Sequence, residues 1–86
     1  MYEIVFTKQA QKDKKLLKQA GLDKRTKALL DVIAENPFKN PPRYEKLVGD
    51  LAGYYSRRIN VQHRLVYQVY EELKTVKVLS MWTHYE

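Results

Sequence analysis

Between Lys8 and Asn36 the chain carries two helix-forming stretches whose apolar stripes are too narrow to bury one another. That limits the fold more than any other feature. In the first, Lys8 to Ala20, only Ala10, Leu16, Leu17 and Ala20 are apolar on an otherwise Lys-rich segment. In the second, Ala28, Leu29, Val32 and Ile33 recur at three- and four-residue spacing, the period of one helix face. Thr7 suits the N-cap of the first, because its hydroxyl can accept from amides the first turn leaves unpaired. Gly21 is placed to end it in a left-handed conformation. Asp23 can cap the second helix. Asn36-Pro37 stops it, since a residue before proline disfavours helical geometry. Such an antiparallel pair needs a sheet to cover it, and only the rest of the chain can supply one.

The remaining segments read as strands. Residues 2–6, YEIVF, form a short β-branched and aromatic run of the kind that favours a pleated surface. After Gly53 come three more: Tyr54–Ile59, His63–Tyr70 and Thr75–Thr83. The order is then β-α-α-β-β-β, an α+β class with an antiparallel-rich sheet and two helices packed on one face, in one domain over residues 1–86. Residues 37–53, PFKNPPRYEKLVGDLAG, hold all three prolines and two of the three glycines. They read as an ordered loop with one helical turn around Glu45–Val48. A loop this long in so small a domain is usually functional or disordered, and its aromatic and Leu content argues against disorder.

Side-chain alternation fixes how the second and third strands pair. Tyr55, Arg57 and Ile59 share one face, while Ser56 and Arg58 take the other. Leu65, Tyr67 and Val69 share a face, while Arg64, Val66 and Gln68 take the other. Antiparallel partners lie on the same face, so Ile59 pairs with His63, Arg57 with Leu65 and Tyr55 with Tyr67 around a loop Asn60–Gln62. The same register sets Arg58 opposite Arg64, away from the helices. Directly opposed like charges cost a few tenths to ~1 kcal/mol. The pair can splay into water, find a nearby carboxylate, or hold an anion between its guanidiniums. Arginine geometry favours the last, a phosphate above all.

Charge points the same way. Sixteen Lys and Arg against ten Asp and Glu give a net charge of +6, which favours a polyanion or an acidic protein partner. There are no cysteines, so disulfides and thiolate metal sites are excluded. The two histidines are far apart, and neither an H-E-x-x-H pattern nor a Gly-rich phosphate loop occurs, so no metal and no cofactor is expected. The N-terminus has no apolar run long enough for a signal peptide or membrane span. A soluble, cytoplasmic protein with no membrane contact is expected.

Metal-free RNA cleavage needs a base for the 2′-hydroxyl, cations for the charge growing on phosphate, and an acid for the departing 5′-oxygen. His84 has the chemistry of the acid, with an unperturbed pKa near ~6.5. Its bland alternative is an exposed histidine beside Trp82 and Tyr85 that pack the last strand. Glu45 sits between Arg43 and Lys46, which would hold it ionised as a base. Its bland alternative is a surface glutamate balanced by those neighbours. His63, at the hairpin turn, suits a structural role. Aromatic and basic residues interleave in GYYSRR and at the C-terminus, a combination suited to unstacked RNA bases.

The run Leu51-Ala52-Gly53-Tyr54-Tyr55-Ser56-Arg57-Arg58-Ile59, followed by His63-Arg64-Leu65-Val66-Tyr67, closely resembles the Txe/YoeB family of toxin endoribonucleases, part of the wider RelE-like group. Asn36-Pro37-Phe38, Glu45-Lys46-Leu47 and the closing His84-Tyr85 also resemble that family's pattern, so the likeness spans nearly the whole chain. The resemblance implies the β-α-α-β-β-β fold and an mRNA-cleaving toxin of a type II toxin–antitoxin system, acting in the ribosomal A site and silenced by a cognate antitoxin. It implies Glu45 as general base, Arg64 as the arginine of the transition state, His84 as general acid and Tyr85 as the residue that helps position the RNA. Arg58 and Lys46 would be phosphate or ribosomal-RNA contacts. A homodimer is compatible with the family, although no strip of this sequence demonstrates one. Two departures stand out: Val48 where some relatives carry a lysine, and Glu86 after Tyr85. Both could retune activity, and neither removes a catalytic position.

A second reading is a non-catalytic basic module that binds RNA or an acidic protein. It needs the Arg58 and Arg64 face but neither Glu45 nor His84.

Overall fold

The computed structural model describes residues 1–82. The expected helical turn at Glu45–Val48 is instead a short edge strand. Glu45–Lys46 (β2) pairs antiparallel with Tyr54–Arg58 (β3), Glu45 opposite Ser56 and Lys46 opposite Tyr55. The Leu47 amide continues the ladder to the Tyr54 carbonyl at 2.9 Å. Without β2 the outer edge of β3 would be a row of unpaired amides and carbonyls. The helical turn comes later, as a 3-10 turn at Gly49–Leu51.

The other elements follow the sequence reading, except that the last strand ends at Ser80, short of the expected Thr83. They are β1 (Glu3–Phe6), α1 (Lys8–Gln19), α2 (Asp23–Glu35), β4 (Arg64–Tyr70) and β5 (Thr75–Ser80). The sheet runs β1-β5-β4-β3-β2, with β1 parallel to β5 and every other pair antiparallel. The hairpin register is the expected one: Tyr55 faces Tyr67, Arg57 faces Leu65 and Arg58 faces Arg64. Asn60 shapes the turn, its Oδ1 accepting from the amides of Gln62 and His63.

Thr7 caps α1, accepting from the Ala10 amide at 3.1 Å, and Gly21 closes it at φ +74°. Asp23 does not cap α2. It is the first helical residue, Leu22 holds the cap position without a side-chain bond, and the carboxylate meets the positive end of the helix instead. The buried stripes are also shifted from expectation. On α1 they are Ala10, Asp13 and Leu17, with Leu16 and Ala20 turned outward; on α2 they are Thr26, Leu29 and Ile33. Both stripes cover a core built from Ile59, Leu65, Tyr67, Val76, Val78 and Met81 on one sheet face. The opposite face of β2, β3 and β4 is left for chemistry.

Candidate active-site cleft

Arg57 explains how the proline-rich loop is held. Its place on the apolar face of β3 would bury a cation among tyrosines, and it is 1% exposed. A buried guanidinium must spend its five donors. Nε donates to Tyr67 Oη at 3.1 Å, Nη1 to the Pro42 carbonyl, and Nη2 to the carbonyls of Pro37 and Lys39 at 3.0 and 2.9 Å. Tyr67 donates its own proton to the Pro37 carbonyl at 2.7 Å. Burial pushes the Tyr67 phenol above its ordinary pKa, with Arg57 pulling partly the other way. Phe38 and Tyr44 pack their rings on Tyr55, 5.2 and 6.0 Å between centroids. Tyr55 thereby closes an internal aromatic cluster and is not a free platform for a base.

The loop pinned by these bonds runs directly into β2. Since Glu45 pairs with Ser56, its side chain falls on the same face as Ser56, Arg58 and Arg64. There a cleft is lined by Pro42, Arg43, Glu45, Ser56, Arg58 and Arg64. Glu45 Oε1 accepts from Arg64 Nη1 at 3.0 Å. The carboxylate that answers the opposed arginines is therefore Glu45, and it answers Arg64. Among the described residues Arg58 is in no ion pair and donates only to the Val61 carbonyl, at 3.4 Å.

Arg64 holds the Glu45 carboxyl below its ordinary pKa, first by hydrogen bond and then by charge, with smaller help from Arg43 and Arg58 against the cost of desolvation. Lys46, its sequence neighbour, has no part in this. One residue along β2, it carries its Cβ to the opposite face and does not line the cleft. Ser56 forms the floor, 1% exposed, its hydroxyl without a hydrogen-bond partner among the described residues.

His84 and Tyr85 lie outside the described residues. The chain reaches them from Trp82, whose indole stacks on the buried His63 ring, 3.8 Å between centroids and 22° between planes. His63 thus has the structural place expected for it. No three His, Cys, Asp or Glu side chains among the described residues cluster in a way that could hold a metal ion. No described helix is long and apolar enough to cross a membrane.

Two buried groups escaped the sequence reading. Arg57 could have been found from its own register, which puts a cation on the core face. Asp13 is the other, a carboxylate at the third position between Ala10 and Leu17 on the buried stripe of α1.

Known proteins share this fold. The profile of the YoeB-like toxin of bacterial type II toxin-antitoxin system matches residues 6–85. A Toxin YoeB of Synechocystis sp. is 41% identical over 76 residues, covering 88% of this chain and 79% of that protein. A YoeB/ParE toxin from Agrobacterium tumefaciens superposes with a TM-score of 0.87 at 30% identity, covering 96% of this chain and 99% of that one. YoeB from Staphylococcus aureus, solved in a heterotetrameric YoeB-YefM toxin-antitoxin complex, superposes at 0.82 with 39% identity over 99% of both chains. It has also been solved as a dimer. Matched by that profile over residues 6–85 and by a relative over most of both lengths, the chain belongs to the YoeB-like toxin family of bacterial type II toxin–antitoxin systems.

Proposed function

We propose that this toxin is an endoribonuclease that cleaves mRNA, without a metal, in the cytoplasm at the ribosomal A site. The observation that carries the reading is the Glu45–Arg64 contact inside a cleft that also holds Arg43 and Arg58. A base and several guanidiniums share one concave surface, and a phosphodiester fits there by charge.

In the reaction Glu45 takes the proton of the 2′-hydroxyl as its oxygen attacks phosphorus. The P–O5′ bond breaks, and His84 gives its proton to the departing 5′-oxygen. The products are a 5′-hydroxyl end and a 2′,3′-cyclic phosphate, or the 3′-phosphate that its hydrolysis leaves. Arg64 stabilises the charge that grows on the phosphoryl oxygens. Arg58 binds the adjacent phosphate, and Tyr85 helps to position the RNA. Lys46 contacts phosphate or ribosomal RNA from outside the cleft. The substrate also resets the base. A phosphate that draws Arg64 away removes the interaction that lowers the Glu45 pKa, so Glu45 becomes more basic when it must accept a proton.

The partner that silences the toxin is a cognate antitoxin, by analogy with the YoeB-YefM complex from Staphylococcus aureus. An acidic, partly apolar antitoxin segment suits the basic cleft. Self-association is inferred from the YoeB dimer of the same organism.

Mapping of RNA 5′ ends in expressing cells tests the reading. New 5′-hydroxyl ends inside reading frames are expected. Unchanged transcripts under growth arrest would favour a binding module that never cuts.

A further inference from the structure

The floor of the cleft holds a polar group that the fold does not use. Ser56 is 1% exposed, and its Oγ has no hydrogen-bond partner among the described residues. A buried donor left unsatisfied is destabilising, and alanine would fill the same space without it. Ser56 lies mid-strand in β3, opposite Glu45 of β2 on one side and Val66 of β4 on the other. The Glu45–Arg64 ion pair, which joins β2 to β4, passes over it.

Two groups can draw the hydroxyl once that pair opens: the freed carboxylate, or the anion that opened it. Register separates them. Arg58 and Arg64 oppose each other two residues along β3, roughly 7 Å from Ser56, so an anion held between them lies toward that end. Glu45 is the direct partner of Ser56, and directly opposed side chains have Cβ atoms about 4.5–5.5 Å apart. At that range a hydroxyl reaches a carboxylate that folds back over the strand.

We infer that Ser56 is a positioning residue for the base: when a phosphate draws Arg64 off Glu45, the Ser56 hydroxyl donates a hydrogen bond to the freed carboxylate and holds it in the cleft. The inference rests on the nuclease reading and adds to it a second holder of Glu45, which acts only after Arg64 has left. Without such a holder, the carboxylate would be pushed out of the cleft by the arriving phosphate, like charge from like. A neutral hydroxyl stabilises a carboxylate less than a guanidinium does, so Glu45 stays oriented and still gains basicity. The other charged groups that face Glu45 among the described residues are Arg43 of its own loop and Arg58 of β3. Both are present in every variant of the test.

The test is a carbon NMR titration of the Glu45 carboxyl in wild type, Ser56→Ala, Arg64→Ala and the double variant. With Arg64 in place the hydroxyl is idle, so Ser56→Ala should leave the wild-type midpoint unmoved. With Arg64 removed the carboxylate turns to Ser56, so adding Ser56→Ala should raise the midpoint by a further ~0.5 pH unit or more, the effect of losing one hydrogen bond to the ionised form. Should Arg64→Ala fail to fold, Arg64→Leu opens the same comparison. Ser56→Thr keeps the hydroxyl and should match serine in both backgrounds. On ribosome-bound mRNA, Ser56→Ala should lower kcat about tenfold and leave KM unchanged, because the arginines carry the binding. Equal midpoints in Arg64→Ala and the double variant overturn the exchange. So does a midpoint already moved by Ser56→Ala alone, or a threonine that behaves as alanine. An unchanged kcat overturns the positioning role and leaves the nuclease intact. A wild type that cuts no RNA overturns the nuclease reading, and the titrations, which need no RNA, tell the two failures apart.

Discussion

Glu45 and Arg64 sit on strands that do not touch, yet Oε1 and Nη1 meet at 3.0 Å across the width of β3. Ser56 is small enough beneath them to let the two long side chains cross. The contact gives the cleft a resting state in which the base is occupied and acid-shifted.

That resting state has a measurable pH signature. The folded-state pKa of Glu45 is lowered, so its contribution to stability is present above the ordinary value of 4.5 and is lost as pH falls through the lowered one. Carbon NMR titration of the Glu45 carboxyl should therefore give a midpoint below 4.5 in wild type. In Arg64→Ala the midpoint should return upward. An unmoved midpoint would mean that the ion pair does not persist in solution.

Glu45→Ala should leave the fold intact and lower RNA cleavage by about 10²–10⁴-fold, the usual contribution of a positioned base. Cleavage of ribosome-bound mRNA by the purified variant, set beside its circular dichroism spectrum, measures both. Full activity in the variant would remove Glu45 from the mechanism.

Removing Arg57 should harm stability more than any cleft substitution. Arg57→Ala leaves the Lys39 and Pro42 carbonyls without this donor, each worth about 1–3 kcal/mol when buried and unsatisfied, and takes one of two bonds from the Pro37 carbonyl and from the Tyr67 hydroxyl. A loss of roughly 3–5 kcal/mol in urea unfolding is expected. Arg57→Lys should rescue little of it, because an ammonium cannot reach all four acceptors as a planar fork does.

Tyr67 predicts sensitivity to base. Its pKa is raised above 10.0, mainly by burial. The stabilisation tied to its neutral form is fully present below about pH 10 and is lost as pH rises through the raised value. Tyr67→Phe should flatten this alkaline loss of stability, while costing about 1–3 kcal/mol at neutral pH, because Arg57 Nε loses its acceptor and the Pro37 carbonyl one of its two donors. Thermal unfolding between pH 7 and 11 checks both halves.

Ser56 should behave in the opposite sense. Its buried hydroxyl has no partner among the described residues, so Ser56→Ala should hold or raise stability, by up to about 1 kcal/mol. Chemical unfolding of the variant decides it. A clear loss would reveal a hydrogen bond that forms in solution.

The hairpin was legible in the sequence because a strand's period of two and a short turn leave few ways to pair YYSRRI with HRLVYQVY. The Arg58–Arg64 opposition followed from that register alone. Thr7 and Gly21 were equally readable, since caps depend on chemistry within one turn of chain. Glu45 was visible as a candidate base, but the cations expected to hold it were Arg43 and Lys46, of which only Arg43 contributes, and less than a third cation does. The structure gives that role to Arg64, because pairing with β3 turns adjacent residues of β2 to opposite faces.

By itself, then, the sequence determined the two helices, the four longer strands and their order, and the faces of the β3–β4 hairpin. All are set by interactions between residues close along the chain. Only the tertiary structure decided that the proline-rich loop supplies an edge strand, that Arg57 ties this loop to the sheet, and that Asp13 holds the amides beyond β5. The bonds of Arg57 to the loop and of Asp13 beyond β5 join residues 15 to 69 positions apart. They are chosen by which buried donors and acceptors the packed chain would otherwise leave unsatisfied, a condition that exists only once the core has formed.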